Sequence, residues 1–285
     1  MPAKLIDHSY GKTRVRLTKV ARGGSRHELF EFNVDVTLRG AFDECYTRGD
    51  NSAVVATDSM KNTVYVLAKD HSFDSPEQFA LILTKHFVDR YGQVSGARVE
   101  IAVTPWQRIG VNGQPHVHSF VGSGSHLLTC VVDRDRKRPN APLIQSGVRD
   151  LPILKTTDSA FRGYVMDEFT TLKETDDRIF ATNLTASWDF ASDNADFAAN
   201  NALVMKRMLE VFADHKSLAV QQTLYAMGEA ALDACGGAIN RIRLQMPNKH
   251  RILFNLAPFN RENANEIFVT TDEPSGNIYA ELERQ

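Results

Sequence analysis

Two residues that could hold a flat, anionic heterocycle lie in segment 151–178 of the sequence. Phe161 offers an aromatic face on which a planar ring can stack. Arg178 offers a planar guanidinium fork that can grip the edge of a ligand through two parallel hydrogen bonds. An arginine that opens an apolar strand is also compatible with a plain surface cation. The pair therefore suggests a binding site without defining it.

Three polar residues of the first quarter are candidates for chemistry. Lys12, in Tyr10-Gly-Lys12, lies at the start of a predicted strand. A solvated strand end is the ordinary interpretation, because a lysine becomes a base only where desolvation or a neighbouring cation lowers its pKa. Thr57 and Asp58 are residues of the type that caps a helix. The same helix start would present backbone N–H groups to an anion, so both interpretations of this pair stand.

Two further segments combine amides with a histidine. Gln221, in Val220-Gln-Gln-Thr223, offers an amide donor and acceptor. Asn248 and His250 follow Pro247, and we expect them at a strand end, since proline removes a ladder donor. His250 has the chemistry to carry a proton near neutral pH. An exposed turn is the alternative for this segment.

A metal site is conceivable at His116 and His118, because side chains two residues apart on a strand point the same way. A zinc site needs at least a third protein ligand, and the neighbouring sequence offers no ligand cluster, so packing is favoured. The glycine-rich Gly122-Ser-Gly-Ser lacks the third glycine and the helix of a dinucleotide site. We therefore expect chemistry that needs no metal, flavin or nicotinamide.

The elements that would position these residues predict an α+β fold. In the first half we expect strands at 12–20 and 30–38, helices at about 60–68 and from Ser75-Pro76 onward, and strands at 99–103, 116–121 and 127–132. In the second half we expect strands at 143–155 and 179–190, helices at about 195–215 and 218–232, and strands at 239–246, 252–256, 266–271 and 277–282. Both halves thus repeat one order, which predicts antiparallel sheets covered by helices.

Periodicity also predicts which side chains form the core. In the predicted strand 12–20, period-2 alternation places Thr13, Val15 and Leu17 on one face. In the predicted strand 30–38 it places four residues on one face: Phe32, Val34, Val36 and Leu38. One helical stripe is expected to contain Phe79, Ile82, Leu83 and Phe87. The charged run 133–140 ends in Pro-Asn and is the best linker candidate. We place the two domains at 1–136 and 137–285.

Composition limits the classes of partner. The 285-residue chain carries a formal net charge of -2, which gives no reason to expect nucleic acid. No apolar run approaches the ~20 residues that span a bilayer. The beginning, 1–8, has no apolar signal region, and the end, 281–285, is not a Ser-Lys-Leu-type peroxisomal signal. With three well-separated cysteines, the expected location is a reducing cytoplasm.

Five blocks of the sequence resemble the urate oxidase (uricase) family, in order and over almost the full length. They are Tyr10-Gly-Lys12, Val55-Ala-Thr-Asp58 with Lys61-Asn-Thr, the segment 151–178, Gln221-Gln-Thr-Leu-Tyr225 and Leu244-Gln-Met-Pro-Asn-Lys-His250. The resemblance implies two tandem T-fold (tunnelling-fold) domains, each an antiparallel sheet backed by a helix pair. It further implies a homotetramer with active sites at subunit interfaces.

The resemblance also implies a role for each candidate residue. Phe161 would stack on urate, Arg178 and Gln221 would hold one edge, and Val220 would add a backbone group. Thr57 and Asp58 of a neighbouring subunit would hold the opposite edge. Asn248 and Thr57 would fix water or O2 above the ring, and Lys12, Thr57 and His250 would relay protons.

The implied activity is oxidation of urate by O2 and water to 5-hydroxyisourate and H2O2 without a cofactor. Two alternatives stand beside it. One is a metal-dependent T-fold enzyme of pterin or purine metabolism that uses His116 and His118, and the other is a non-catalytic purine-binding protein. Asp176 and Asp177 would weaken binding of an anion if they faced Arg178, and we expect them to point away.

Overall fold

Antiparallel strands backed by helices make up both halves of the chain in the computed structural model, which describes residues 3–284. The chain forms two compact units. Among the described residues, the first comprises those up to Gly147 together with Asp189–Ala199, and the second comprises Val148–Trp188 together with those from Asn200 onward. No helix within the described range is long and apolar enough to cross a membrane.

The first unit is built on one four-stranded antiparallel order, β1-β2-β3-β6. Its elements are β1 (Tyr10–Ala21), β2 (Glu28–Gly40), α1 (Asp43–Arg48), α2 (Thr57–Asp70), α3 (Pro76–Arg90), β3 (Val94–Val103), β4 (Trp106–Val111), β5 (Gln114–Gly122) and β6 (Leu127–Asp135). Helix α3 packs on β3 and β6, and α2 packs on β1. The sheet is therefore covered by a helix pair, as expected for each half.

The core of the first unit follows the predicted alternation on β2. Its four inward side chains are all buried: Phe32, Val34, Val36 and Leu38. On β1 the prediction is wrong for Thr13, which is exposed although Val15 and Leu17 are buried. The reason is a register shift between Lys12 and Val15, which interrupts the alternation of faces.

Helices α2 and α3 of the first unit begin differently. Helix α3 begins as predicted, with Pro76 in its first turn and the Ser75 hydroxyl accepting a hydrogen bond from the N–H of Gln78 at 3.2 Å. The prediction that Ile82 belongs to the buried stripe of α3 is wrong, since this side chain is only partly buried and lines an outer groove. Helix α2 begins already at Thr57, after Ala56, and no side chain caps it.

The second unit also consists of paired strands with two helices. Its elements are β7 (Leu143–Lys155, in this unit from Val148), β8 (Phe180–Phe190, in this unit up to Trp188), α4 (Phe197–Asp214, in this unit from Asn200), α5 (Val220–Ala234), β9 (Ile239–Gln245), β10 (Asn248–Leu253), the short 3-10 helix Ala257–Phe259, β11 (Phe268–Gly276) and β12 (Tyr279–Glu283). Strand β8 has β9 and β10 as partners, β10 pairs with β11, and β9 pairs with β12. The buried face of α5 packs on β9 and β12.

The structure adds two local elements to the predicted order and moves the start of one strand. Segment 109–115 belongs to the β4–β5 hairpin, whose turn is formed by Asn112 and Gly113 (φ 51° and 75°). Helix α1 has only six residues and no apolar periodicity that would reveal it. Strand β10 begins at Asn248 and not at the predicted 252, since Asn248 already pairs with Thr182 and Gly276. Asn248 therefore lies at a strand end, as expected, and His250 lies within the strand.

Candidate active site

A cavity of about 160 Å³ lies in the second unit, between the segment that joins β7 to β8 and strand β10. Four predicted site residues line it: Phe161, Arg178, Asn248 and His250. Its other lining residues are Leu172, Lys173, Thr175, Ile179, Lys249, Arg251 and Ile252. No Asp or Glu belongs to this described lining, which carries several basic side chains and therefore favours an anion.

Phe161 is held rigidly at the cavity wall. Its backbone forms an isolated antiparallel bridge with Thr175, with N···O distances of 2.9 and 3.1 Å. Its ring stacks on Tyr164 at a centroid distance of 4.9 Å and an angle of 11°. The Tyr164 hydroxyl in turn donates to the carbonyl of Leu172 at 2.7 Å. Since Tyr164 is not among the residues that line the cavity, it supports Phe161 from outside the cavity.

Arg178 brings to the cavity a buried hydrogen-bond donor without an acceptor among the described residues. Its Cζ lies 5.3 Å from the centroid of the Phe161 ring. Its Nε is buried, and no described residue accepts a hydrogen bond from it. Burial lowers the pKa of Arg178, yet guanidinium stays protonated because its ordinary pKa is far above neutrality. A buried cationic donor without an acceptor is costly, and an anionic ligand would supply the acceptor.

Asp176 and Asp177 do point away from Arg178, as expected. Arg162 pairs with Asp176 at 2.6 Å, and the Thr157 hydroxyl donates to Asp177 at 3.0 Å. The only cause of the lowered Arg178 pKa is burial, without a contribution from either carboxylate. The charge of Arg178 is therefore available to the cavity.

Strand β10 contributes the opposite part of the cavity wall. Asn248 is partly buried and His250 is exposed. On the same strand, Lys249 and Arg251 both approach the carboxylate of Asp272. The distances are 3.4 Å from Lys249 Nζ to Oδ2 and 3.9 Å from Arg251 Nη1 to Oδ1. One carboxylate facing two cations leaves a net positive charge at this wall.

The predicted residues of the first unit lie at the start of β1 and at the start of α2. Asp58 accepts hydrogen bonds from Lys61 at 2.5 Å and from Asn62 at 3.0 Å. The hydrogen bond from Lys61 is the main cause of the lowered Asp58 pKa, and the charge of Lys12 acts in the same direction. Lys12 and Asp58 are therefore electrostatic neighbours, although the sequence separates them by a strand and a helix.

Tyr10 ties β1 to the chain just before Thr57. Its hydroxyl accepts a hydrogen bond from the Val55 N–H at 2.8 Å and donates to the Val55 carbonyl at 3.1 Å. The side chain of Thr57 is exposed in the first turn of α2. Because Ala56 has no capping side chain, the first N–H groups of α2 are left for a ligand or water.

Val220 and Gln221 begin α5, after Ala219. Val220 is buried and Gln221 is exposed. Neither is among the lining residues of the cavity at Phe161, so the structure does not bring them into that cavity. The backbone N–H groups of this helix start are, as at Thr57, open to an external acceptor.

His116 and His118 lie on one strand, β5, with ring centroids 4.4 Å apart. His27 is the next histidine, with its centroid 6.1 Å from that of His118. Across residues 3–284, no three His, Cys, Asp or Glu side chains come together as a set of metal ligands.

Two supporting residues of the cavity escaped the sequence analysis. Tyr164 lies three residues after Phe161, and Gly163 between them has a positive φ of 71°; an aromatic pair around a turn glycine was the available signal. Lys249 has no distinct sequence signal, because it lies between Asn248 and His250.

Comparison with known proteins reveals full-length relatives. The sequence model of the family described as Uricase matches residues 8–133 and 144–279. The uricase of Arthrobacter globiformis is 41% identical over 99% of this chain and 90% of its own length. The uricase of Dictyostelium discoideum is 40% identical over 99% of this chain and 98% of its own length.

Solved structures give the same result. The crystal structure of the Arthrobacter globiformis uricase superposes with a TM-score of 0.93, covering 100% of this chain and 96% of that one. A uricase from Bacillus fastidious, at 23% identity, shares the fold with a TM-score of 0.81. The α+β architecture of two tandem T-fold domains is thereby confirmed. This chain belongs to the uricase (urate oxidase) family of enzymes.

Proposed function

We propose that the chain oxidises urate with O2 and water to 5-hydroxyisourate and H2O2, without a cofactor. The observation that carries this proposal is the buried, unpartnered Nε of Arg178 beside the face of Phe161. Urate is flat and anionic, so it would stack on the ring and provide the missing acceptor. Family membership supplies the substrate class.

The reaction balances with urate as the electron source. Two electrons and two protons pass from urate and water to O2, which becomes H2O2, and the water oxygen is added at C5. The protein then contributes orientation and charge stabilisation instead of a redox group. This requires an electron-rich urate anion held by both edges, with O2 and water confined above one face.

The site residues divide into two groups in this proposal. The group that binds urate directly or places water and O2 consists of Phe161, Arg178, Val220, Gln221, Asn248, Thr57 and Asp58. The group that transfers protons consists of Lys12, Thr57 and His250. Thr57 belongs to both because it adjoins the ring and the relay.

We further propose a homotetramer in which each site combines two subunits. The cavity at Phe161 has about 160 Å³, below the ~300 Å³ of a small ligand pocket. That size fits half of a site, with Lys12, Thr57 and Asp58 of another copy as the other half. We propose that the boundary between the two domains falls after residue 136, so that the domains are 1–136 and 137–285.

The location in the cytoplasm stays a prediction. Cys45, Cys130 and Cys235 are all free thiols, which suits a reducing compartment.

The decisive experiment mixes purified, EDTA-dialysed protein with urate in air. Loss of the ultraviolet absorbance of urate is followed together with peroxide. We expect rapid loss with one peroxide per urate. Turnover that appears only after addition of a divalent metal would instead favour the histidine pair on β5. Tight binding of urate with no turnover under either condition would indicate a purine-binding protein.

A further inference from the structure

A bulge in β1 determines which way Lys12 points. Strand β1 pairs with β2 through Lys12 opposite Val36, and again through Val15 opposite Val34. Two residues, Thr13 and Arg14, therefore face the single residue Asp35. An extra residue on one strand is a β-bulge, and bulges are common beside active sites, where they redirect a side chain.

The bulge moves Lys12 to the helix-covered face of the sheet. Val34 and Val36 are both fully buried on that face, and residues directly opposite in an antiparallel pair share a face. Lys12 thus lies on the side of Val15, where unbroken alternation would have placed it on the other side. The effect of its charge on Asp58, in the first turn of α2, agrees with this direction.

One carboxylate holds the bulge in place. Arg14 has a positive φ of 59°, which is unfavourable for a residue with a side chain. Its backbone N–H donates to the Asp35 carboxylate at 2.6 Å, a charge-assisted bond to a group on the neighbouring strand. The side chain of Arg14 is exposed, so the backbone conformation depends on this bond rather than on packing of the arginine.

The other side of Lys12 is fixed by backbone contact. A Cβ on Gly11 would lie 1.8 Å from the carbonyl oxygen of Val36, so β1 approaches β2 closely there. Lys12 is held between this close approach and the bulge, and only the bulge depends on a single side-chain contact.

We propose that Asp35 is a positioning residue for the reaction, which acts by holding the bulge that turns Lys12 toward the start of α2. This inference rests on the proposed function, in which Lys12 transfers protons. Asp35 itself does not touch substrate. Its effect should therefore appear in kcat and disappear when Lys12 is absent.

The first test is Asp35→Ala. We expect kcat for urate to fall ~10-fold or more, since small misplacements of catalytic groups cost that much, while urate binding measured without O2 stays within ~2-fold. Asp35→Asn keeps an oxygen acceptor and should retain most of the activity. The matched control is Glu100→Gln, because Glu100 lies opposite Asp35 on β3 and should leave kcat unchanged.

Arg14 provides an independent test that leaves the carboxylate intact. Arg14→Gly tolerates the positive φ and should preserve kcat, whereas Arg14→Val opposes it and should lower kcat as Asp35→Ala does. In the Asp35→Ala background, Arg14→Gly should restore part of the lost kcat. The comparison of Arg14→Gly with Arg14→Val tests whether the bulge controls kcat, even where Asp35→Ala fails to fold.

The double variant Lys12→Met with Asp35→Ala separates positioning from general damage. We expect the same kcat as for Lys12→Met alone. An additional loss equal to that of Asp35→Ala would overturn the inference, as would wild-type kcat in both Asp35→Ala and Arg14→Val. Wild-type protein that does not oxidise urate would instead overturn the proposed function, before any variant is compared.

Discussion

At the scale of single residues, Arg178 combines burial, charge and an unsatisfied donor in one side chain. We predict that Arg178→Ala raises the KM for urate by orders of magnitude, with ~2–5 kcal/mol of binding lost, because a desolvated charge-assisted pair disappears. Steady-state kinetics with urate measure this. Arg178→Lys should recover little, since an ammonium cannot reproduce the bidentate fork.

Arg162 is the matched control for that variant. It lies in the same segment, but its guanidinium is directed to Asp176 and Glu174 at the surface. Arg162→Ala should leave KM within ~2-fold, as exposed ion pairs contribute little. Equal effects of both substitutions would mean that Arg178 acts through the segment and not through urate.

Lys12→Met should separate chemistry from binding. In our proposal Lys12 transfers a proton and makes no contact that holds the ring, so kcat should drop ~100-fold or more with urate binding nearly unchanged. Equilibrium binding in the absence of O2, beside turnover in air, distinguishes the two. Lys69→Met, at the exposed end of α2, is the control. A parallel loss of binding would remove Lys12 from the proton relay.

The sequence predicted individual residues best where chemistry is local. An aromatic and a guanidinium in one segment indicated a stacking site, and the structure places Phe161 and Arg178 at one cavity. It did not reveal Tyr164 behind Phe161, because ring stacking across a turn depends on the backbone of Gly163. The electrostatic link of Lys12 to Asp58 was also hidden, since it arises only when β1 and α2 pack together.

At the scale of elements, β1 approaches β2 very closely at Gly11. A Cβ there would lie 1.8 Å from the backbone oxygen of Val36, which has no flexible atoms to give way. We predict that Gly11→Ala lowers the free energy of unfolding by ~1–3 kcal/mol or more, as overpacking does, and lowers urate turnover through Lys12. Chemical denaturation and kinetics measure the two effects.

Gly23→Ala tests whether the effect is specific to that contact. Nothing lies within 4 Å of a Cβ built on Gly23, in the turn after β1, so both stability and turnover should stay near wild type. A Gly11→Ala protein as stable and active as Gly23→Ala would show that β1 can move away from β2 without affecting Lys12.

Strands with one buried face were predictable, and irregular ones were not. The alternation on β2 indicated its core side correctly, because its four inward residues are all buried. On β1 the same rule failed at Thr13, since the bulge depends on a hydrogen bond between Arg14 and a carboxylate on another strand. Pro247 correctly indicated a break before a strand, but β10 begins at Asn248 and not at 252, because Asn248 already pairs on both sides.

At the scale of the whole molecule, the segment between β7 and β8 exposes apolar side chains that a single chain leaves in water. Val165 is 92% exposed and Phe169 82% exposed. Neighbouring exposed apolar residues of this kind mark surfaces that partners cover. Since the same segment carries Phe161 and Arg178, a subunit packed on it would also close the cavity, as our tetramer proposal requires.

Subunit complementation tests that proposal directly. Lys12→Met and Arg178→Ala damage residues that we assign to different subunits of one site. If the two inactive proteins are dissociated, mixed and reassembled, some sites should combine an intact Lys12 from one chain with an intact Arg178 from the other. Random assortment would restore about a quarter of the sites in an equal mixture. Each variant taken through the same procedure alone is the control and should stay inactive.

The outcome depends on geometry alone and not on the detailed chemistry. If each site were built from a single chain, every chain in the mixture would still carry one damaged residue, and no activity would return. Recovered activity should also fall on dilution together with the tetramer, measured by sedimentation, because association supplies half of each site. Activity that survived complete dissociation to monomers would mean that Lys12, Thr57 and Asp58 act in the same chain as the Phe161 and Arg178 of their site.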